Sequence, residues 1–505
     1  MNLAHEQPAQ PSEYTSYDIA RLRAGLLAGE LTPSSLGRAF RHRYAEVDQA
    51  GPTISSVIEV APGLGQLAAS NLVGPAPLGG VPMLVKDSFD TTDGMRSTSG
   101  SLSLVDSGVL VEATVMTRLR AAGALVVGKG NMSEWANFRS SHSSSGWSAR
   151  GGLTRNPHAL DRSAGGSSTG SAAAVAAGLV PASLGTETHG SILCPASMCG
   201  VVGVKTTIGR VSTAGLQPIG HSQDTVGPFA RTVRDAALVL QVIAGRDRLD
   251  PVTNGSPDVP DYLATLNDGV HGLRVGIARS TLWGSDGAAD VLAEAAISAL
   301  SRAGAVIVDD ANMASAEELD NIWIGGELDL LLPEFKVNLN RYLSRREGGP
   351  RSLDEVIAFN RDHPEQEMHW FGQDVLEAAA ATDGLENPAY LAAGKRLRSL
   401  GREKGIDGAL RRHQVDVLIC PTMRPAWKTD LTNGDPSGFE SAASAPSIAG
   451  YPAVTVPIGL VHLLPVAMTI MGTAWSEPLL LRVATVVEET MGTLPAPAFR
   501  PPQPD

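Results

Sequence analysis

Gly165-Gly-Ser-Ser-Thr-Gly-Ser171 and Gly185-Thr-Glu-Thr-His-Gly-Ser191 are two glycine-rich stretches on either side of the small-apolar run 172–184. Gly178 and Pro181 interrupt this run, and it is shorter than the ~20 residues that a helix needs to span a bilayer. We therefore predict a buried helix that connects two turns, and no association with a membrane. The two turns are the strongest candidates for a functional site.

Apolar runs on both sides of this region predict strands that alternate with helices. Residues 80–85 predict a buried strand that ends at the charged pair Lys86-Asp87, and residues 124–128 predict another strand after a helix over 114–122. Further strands are predicted over 183–188, 200–205, 273–278, 415–420, 453–458 and 465–471, two helices over 17–48, and single helices over 229–245 and 287–303. This alternation favours α/β layering.

Three segments lack so regular a pattern. Residues 140–171 are rich in Ser and Gly, which is typical of a flexible linker or of an ordered functional loop; Trp147 and the direct continuation into a helix favour the ordered loop. Residues 310–410 are helical and more charged, and we predict that they lie over a pocket. The Pro-rich tail over 495–505 is predicted to be loose.

The composition disfavours several classes of protein. The chain of 505 residues has 40 Lys and Arg against 53 Asp and Glu, and its net charge of −13 disfavours nucleic acid as a partner. With 43% hydrophobic residues it is able to build a large core. Three scattered cysteines are too few for a disulfide framework or a four-ligand zinc site, and the N-terminus shows no signal peptide. We therefore predict a cytoplasmic protein.

Common motifs for metals and nucleotides are missing from the sequence. The chain has no H-E-x-x-H, no EF-hand loop and no P-loop pattern, so we expect neither a metal nor a cofactor. The pattern G-x-S-x-G does occur, at residues 166–170, and would make Ser168 the nucleophile of a hydrolase elbow. Such an elbow follows a hydrophobic strand, whereas residues 155–164 have no strand pattern, so this alternative is disfavoured.

The second glycine-rich turn offers a better position for a nucleophile, Ser191. Backbone N–H groups of a turn are able to converge on one oxygen atom, as stabilisation of an oxyanion requires, and here they belong to Thr188, His189, Gly190 and Ser191. A serine hydroxyl needs a base. Lys86 at the end of a buried strand is a candidate because burial lowers the pKa of an amine. Considered alone, such a lysine is more often a surface charge or half of an ion pair.

Motifs along nearly the whole chain resemble those of the amidase signature family of serine hydrolases. The matching stretches are Val85-Lys86-Asp87, Gly128–Glu134, Gly165–Ser171, Gly185–Ser191, Gly200–Lys205, Cys420–Thr422, Gly450–Pro457 and Leu464-Pro465. The resemblance implies an α/β fold in which a single large domain over 1–505 has a mixed, twisted sheet flanked by helices on both faces. Residues 131–140, 146–147, 156–157 and 215–228 look most similar to bacterial peptide amidases, which hydrolyse C-terminal carboxamides of peptides.

The resemblance also implies the roles of the site residues. Ser191 would be the nucleophile, Ser167 a bridging serine after a cis peptide bond, and Lys86 the base. The N–H groups around Thr188, His189 and Gly190 would bind the oxyanion. The implied enzyme hydrolyses an amide through an acyl-enzyme, without a cofactor, and releases ammonia or an amine.

Several residues have two interpretations. His189 stands where the family often has Gly, and it is either a packing or substrate-lining group or a catalytic histidine. Cys194 is interpreted as a buried structural thiol rather than a nucleophile. Asp87 either anchors Lys86 or binds backbone groups. The aromatic residues that either line an acyl pocket or belong to the core are Trp135, Phe138 and Trp147.

Three other functions remain open at this point. An acyltransferase would use the same acyl-enzyme with an amine in place of water. A component of a tRNA-dependent amidotransferase shares the motifs but acts with partner chains. A non-catalytic scaffold would fail to react with a fluorophosphonate. The expected partner is a small-molecule or peptide amide, and a homodimer is one option for the assembly.

Overall fold

A computed structural model describes residues 13–502 except residues 70, 71, 321, 323–325 and 437–440. In these residues eleven strands form one sheet, and two short strands, β4 and β5, form a separate ribbon. The strands are β1 (Val57–Val60), β2 (Pro82–Lys86), β3 (Leu125–Gly130), β4 (Trp147–Ser148), β5 (Gly152–Leu153), β6 (Ala182–Glu187), β7 (Val202–Lys205), β8 (Thr225–Ala230), β9 (Arg274–Ile277), β10 (Val306–Val308), β11 (Val417–Pro421), β12 (Ala453–Val461) and β13 (Leu464–Met471).

The order of strands across the sheet is β1-β3-β2-β6-β8-β7-β12-β13-β11-β9-β10. Strand β2 runs parallel to β3 and β6, and β9 runs parallel to β10 and β11. The other neighbouring pairs are antiparallel. The sheet is therefore mixed, which confirms the prediction.

Helices follow most of the strands along the chain. They are α1 (Ile19–Ala28), α2 (Pro33–Arg43), α3 (Leu64–Ala69), α4 (Thr114–Ala121), α5 (Thr169–Ala176), α6 (Leu193–Cys199), α7 (Val233–Ile243), α8 (Gly287–Arg302), α9 (Ala316–Asp320), α10 (Leu328–Leu343), α11 (Leu353–Asp362), α12 (Pro364–Glu367), α13 (Asp374–Ala380), α14 (Pro388–Gly401), α15 (Ile406–His413), α16 (Ser444–Ala449) and α17 (Glu477–Met491). No helix in the described ranges is long and apolar enough to cross a membrane.

Alternate residues of the central strands point into different cores. Met83 and Val85 of β2 pack in the core that contains α4, α7, α8 and α17, whereas Leu84 packs with α3, α5 and α6. Successive side chains of a strand point to opposite faces of a sheet. Helices therefore cover both faces, as predicted.

The small-apolar run 172–184 is divided between a helix and a strand. Helix α5 ends at Ala176, and β6 begins at Ala182. Gly178 has a φ of +73°, which is typical of the residue after a helix, and Pro181 prevents the helix from continuing. The prediction of one buried helix over this run is therefore wrong for its second half.

The loop and the tail are both attached to the body of the protein. Residues 140–171 are mostly buried and contain β4 and β5, so they are an ordered loop rather than a linker. In the tail, Phe499 N donates to Pro157 O at 3.0 Å, and Leu160 N donates to Arg500 O at 2.9 Å. This part of the tail is thus not loose, contrary to the prediction, and residues 503–505 lie outside the described residues.

Candidate active site

Lys86 is the last residue of β2, and its side chain is completely buried. Because side chains alternate along a strand, Lys86 lies on the same face as Leu84, which is the face that carries α5 and α6. Lys86 Nζ lies 2.7 Å from Ser167 Oγ and 2.8 Å from Thr186 Oγ1. The amine therefore points into the protein and contacts the serine that precedes α5.

Ser167 is fixed by the backbone around it. The Gly166–Ser167 peptide bond is cis, as the resemblance implied. Ser133 N donates a hydrogen bond to Ser167 O at 3.1 Å. A Cβ atom at residue 166 would collide with the hydroxyl groups of Ser133 and Ser145, so only glycine fits there. These contacts hold the Ser167 hydroxyl beside Lys86.

Ser168, the alternative nucleophile, is fully buried and already hydrogen-bonded. Its hydroxyl donates to Thr186 O at 2.9 Å and accepts from Thr186 N at 3.2 Å. The described residues 154–168 contain no strand that leads to it. The structure therefore contradicts the nucleophile-elbow alternative.

Ser191 lies in the turn between β6 and α6. The buried carboxylate of Glu187 closes this turn, since its Oε2 accepts hydrogen bonds from Ile192 N at 2.6 Å and Leu193 N at 2.9 Å. Ser168 N donates to Ser191 O at 3.3 Å. The turn is thereby attached to the start of α5, so Ser191 and the pair Lys86–Ser167 lie in one site.

The turn offers donors that no other residue uses. Within the part of the chain that the structure describes, the N–H groups of Thr188, Gly190 and Ser191 donate no hydrogen bond, and neither does the Ser191 hydroxyl. Ser191 is 8% exposed, whereas Lys86 and Ser167 are 0% exposed. Accessible, unused N–H groups beside a serine are what the binding of an oxyanion requires.

The parallel pairing of β2 with β6 explains why distant residues meet. Val85 lies opposite Leu184 in these strands, so Lys86 and Thr186 leave the sheet at the same edge. The carboxyl ends of parallel strands are a common position for active sites. Helices α5 and α6 both begin near this edge, and Ser167 and Ser191 precede them.

Burial lowers the pKa of Lys86 to about 7, even though the carboxylates of Asp224 and Glu187 act to raise it. A large fraction of the amine is therefore neutral near pH 7 and able to accept a proton. Burial also raises the pKa of Asp224 to about 6. Asp224 Oδ1 accepts a hydrogen bond from Thr188 Oγ1 at 2.5 Å, which fixes the start of the nucleophile turn.

Asp87 does not serve as an anchor for Lys86. Its Oδ2 accepts hydrogen bonds from Thr98 Oγ1 and, at 3.1 Å, from Gly100 N. Arg150 Nη1 lies 3.3 Å from Asp87 Oδ1. Asp87 thus binds groups of the adjacent loop, which agrees with the second interpretation of this residue.

Cys194 is a structural thiol. Burial raises its pKa to about 12, so the reactive thiolate is not formed near neutral pH. It packs in a small apolar cluster with Met198 and Met423. Gly190 has a φ of +77°, and a Cβ there would lie 2.8 Å from Cys194 Sγ, so the thiol also requires glycine at this position of the turn.

The three aromatic residues in question belong to the core. Trp135 is 0% exposed and Phe138 is 1% exposed, and the ring centroid of Phe138 lies 4.8 Å from that of Phe335. The rings of Trp147 and Phe371 are 5.0 Å apart. Phe335 and Phe371 belong to the helical region 310–410, so these contacts attach that region to the ordered loop.

His189 is engaged through both nitrogen atoms of its ring. Nδ1 lies 2.9 Å and 2.7 Å from the two carboxylate oxygens of Glu327, just before α10. Nε2 lies 3.2 Å from Ser444 Oγ at the start of α16. Glu327 Oε1 also accepts a hydrogen bond from Gln223 Nε2 at 2.6 Å.

The sequence reasoning missed Thr186, Glu187, Asp224 and Glu327. The first two lie inside the glycine-rich stretch 185–191, and their position next to Ser191 was the available signal. Asp224 lies in the motif stretch 215–228, but nothing in the pattern indicated that its carboxylate binds Thr188. Glu327 is 138 residues from His189 and belongs to no motif, so no local pattern pointed to it.

Comparisons with known proteins fit this fold and site. A family model described as amidase matches residues 38–481. The crystal structure of the native peptide amidase from Stenotrophomonas maltophilia shares 44% sequence identity and a TM-score of 0.91, over 96% of this chain and 99% of that one. A probable amidase of Arabidopsis thaliana is 37% identical over 431 residues, which are 84% of this chain and 78% of that protein.

The same comparisons include a component of an enzyme of another kind. The amidase-like chain of the glutamyl-tRNA(Gln) amidotransferase from an Anaeromyxobacter strain is 40% identical over 437 residues, which are 83% of this chain and 84% of that one. An α/β fold with a mixed sheet and a serine–lysine site defines the class as a serine hydrolase of the amidase type. The chain belongs to the amidase family, and it is an amidase that hydrolyses amide C–N bonds.

Proposed function

We propose that the protein hydrolyses C-terminal carboxamides of peptides through an acyl-enzyme, with Ser191 as nucleophile, Ser167 as bridging serine and Lys86 as base. The observation that carries the proposal is the 2.7 Å contact between the buried amine of Lys86 and the Ser167 hydroxyl, beside the turn that holds Ser191. A neutral amine in contact with a hydroxyl is able to accept its proton.

The reaction begins with a proton relay. Lys86 Nζ takes the proton of the Ser167 hydroxyl while Ser167 Oγ takes the proton of the Ser191 hydroxyl. Ser191 Oγ forms a bond to the carbonyl carbon of the amide. The C–N bond then breaks, and the proton returns from Lys86 through Ser167 to the leaving nitrogen, which departs as ammonia. Water repeats the relay on the ester and releases the carboxylic acid.

The N–H groups of Thr188, His189, Gly190 and Ser191 bind the oxygen that becomes negative during attack. The support is that the N–H groups of Thr188, Gly190 and Ser191 have no other acceptor among the described residues. Fixed donors of this kind lower the barrier because they require no reorganisation when the charge develops. Glu187 and Asp224 keep the turn in place from its two ends.

The helical region 310–410 forms one side of the substrate pocket in this proposal. Glu327 contacts His189 of the nucleophile turn, and Phe335 and Phe371 pack on Phe138 and Trp147. The region therefore lies beside the site rather than at a distance from it. The preference for a peptide acyl group rests on the similarity to the peptide amidase, which extends over nearly the whole of both chains.

The test is the release of ammonia from a peptide carboxamide by the isolated chain. Ser191→Ala is expected to lower kcat by about 10⁴-fold or more, and a fluorophosphonate is expected to label the native protein but not this variant. Ser197→Ala, a buried serine of the following helix, is the matched control and is expected to retain activity and labelling. Undiminished hydrolysis by the Ser191→Ala variant would refute the mechanism.

Two other outcomes would replace the proposed substrate or reaction. If ammonia is released from glutamine only when partner chains and tRNA are added, the function is that of an amidotransferase component, which the 40% identity to such a chain makes a specific alternative. If added amines are incorporated into the product faster than water, the enzyme is an acyltransferase. Product analysis by mass spectrometry separates these outcomes.

A further inference from the structure

A buried ion pair lies next to the proposed nucleophile. His189 is two residues before Ser191, and its Nδ1 faces both oxygens of the Glu327 carboxylate. Glu327 is 0% exposed, and the side chain of His189 is 15% exposed. The two residues come from opposite parts of the fold, since His189 follows β6 and Glu327 immediately precedes α10.

The charge of Glu327 requires a partner at this place. A buried carboxylate is costly unless it is paired and hydrogen-bonded, and the described groups in contact with Glu327 are His189 and the Gln223 amide. Burial alone would lower the pKa of His189, but the Glu327 carboxylate outweighs burial and raises it. Glu187 acts in the same direction as Glu327, and Lys205 acts against both. His189 is therefore an imidazolium over the neutral pH range.

The ring is held on two sides. Glu327 binds Nδ1 and Ser444 Oγ lies 3.2 Å from Nε2, so neither nitrogen is placed to exchange a proton with substrate. The catalytic interpretation of His189 is thereby disfavoured. What the pair does fix is the backbone of residue 189, which lies between Thr188 and Gly190 in the turn whose N–H groups have no other acceptor among the described residues.

We propose that Glu327 is a positioning residue for the amidase reaction: by holding charged His189 between α10 and α16, it keeps the N–H groups of the nucleophile turn directed at the oxyanion. This inference rests on the proposed function of Ser191. The displacement of a reacting or stabilising group by about 1 Å is enough to lower a rate by about a hundredfold. The loss should appear in kcat, because the donors act on the transition state more than on the bound substrate.

The experiment compares four variants of the full chain on a peptide carboxamide. Glu327→Gln and His189→Ala are each expected to lower kcat by about 10- to 100-fold with KM changed less than about threefold. The double variant is expected to be no slower than His189→Ala, because Glu327 acts through His189. Glu334→Gln is the matched control. Glu334 is a buried carboxylate of α10 that accepts hydrogen bonds from Ser222 and Tyr390, and its variant should keep kcat within about twofold.

The pH profile supplies a readout that a merely structural role would not change. Native activity is expected to decline at alkaline pH as His189 loses its proton, and Glu327→Gln is expected to move this decline to lower pH by about one unit or more. Glu327→Asp, which keeps the charge, should retain more activity than Glu327→Gln and leave the decline nearer its native position.

The results also separate this inference from the function on which it rests. If the native protein is inactive, or if Ser191→Ala is as active as native, the proposed function fails. If the native protein is active and Ser191-dependent, but Glu327→Gln loses no more kcat than Glu334→Gln, the positioning role is overturned. Additive losses in the double variant would overturn it as well, because they would show that Glu327 acts independently of His189.

Discussion

Two buried lysines end neighbouring parallel strands of the sheet, and they differ in what surrounds them. Lys129 of β3 pairs with Val85, the residue before Lys86 in β2, so the two lysine side chains point to opposite faces. Both are 0% exposed. Burial lowers the pKa of Lys86 to about 7 and that of Lys129 to about 8.

The partners of the two amines are chemically different. Lys129 Nζ donates to the carbonyl of Phe89 and, at 2.9 Å, to the hydroxyl of Ser97, and the carboxylates of Asp87 and Asp90 favour its charged form. Lys86 Nζ contacts two hydroxyl groups of the site. The difference teaches that burial alone does not make a lysine a base. The amine also needs a hydroxyl that itself reaches the nucleophile.

The largest expected effect comes from removing the two amines in turn. Lys86→Met is expected to lower kcat/KM by about 10⁴-fold or more, since no other described group in the site takes the proton of Ser167. Lys129→Met is expected to stay within about threefold of native for the folded fraction. Hydrolysis rates normalised to folded protein, measured by circular dichroism, test the contrast. Comparable losses in both variants would refute the distinction between the two sites.

The pH dependence of hydrolysis sharpens the same comparison. Lys86 acts as a base only when neutral, so kcat/KM should fall about tenfold per pH unit below about pH 7, the value to which burial lowers its pKa. A limb near pH 8 would instead correspond to Lys129, whose pKa is lowered to about 8. The profile of Lys129→Met decides between them: the acid limb is expected to remain at its native position, and its disappearance would assign the base to the wrong lysine.

The surroundings of the two lysines could be predicted from the sequence only in part. Strands β2 and β3 were predictable because their apolar runs are continuous, and Ser167 and Ser191 because they lie in glycine-rich motifs. Strand β8 was not predicted, since Gly227 and Pro228 are unfavourable in strands, and Pro228 is tolerated here opposite Leu184.

Other parts of the site were beyond a reading of the sequence for a physical reason. Strand β10 is short and half-exposed, so it lacks the alternation that marks a strand. Glu327 binds His189 only because α10 lies beside the nucleophile turn, and such packing between distant segments leaves no local pattern. Thr186 was missed because a threonine in a strand is ordinarily explained by its β-propensity.

The smallest expected effect is on stability, where the two lysines should act in opposite directions. The folded-state pKa of Lys86, about 7, lies below the ordinary lysine value of 10.5, so between these values the unfolded chain binds more protons and stability rises with pH. Below about pH 7 the cost of burying the charge is fully present. Lys86→Met removes this cost and is expected to raise the free energy of unfolding by about 1 kcal/mol at pH 6, with a smaller gain at pH 9.

Lys129→Met is expected to destabilise the protein by about 1–3 kcal/mol, even though burial lowers the pKa of this lysine too. The replacement leaves the Phe89 carbonyl without its donor, and it leaves the carboxylates of Asp87 and Asp90 without a neighbouring positive charge. Thermal unfolding of both variants at pH 6 and pH 9 measures the two effects. A Lys86→Met protein less stable than native at pH 6 would show that the contacts of this amine with the Ser167 and Thr186 hydroxyls outweigh its desolvation, and that Lys86 is held mainly by structural demand, as Lys129 is.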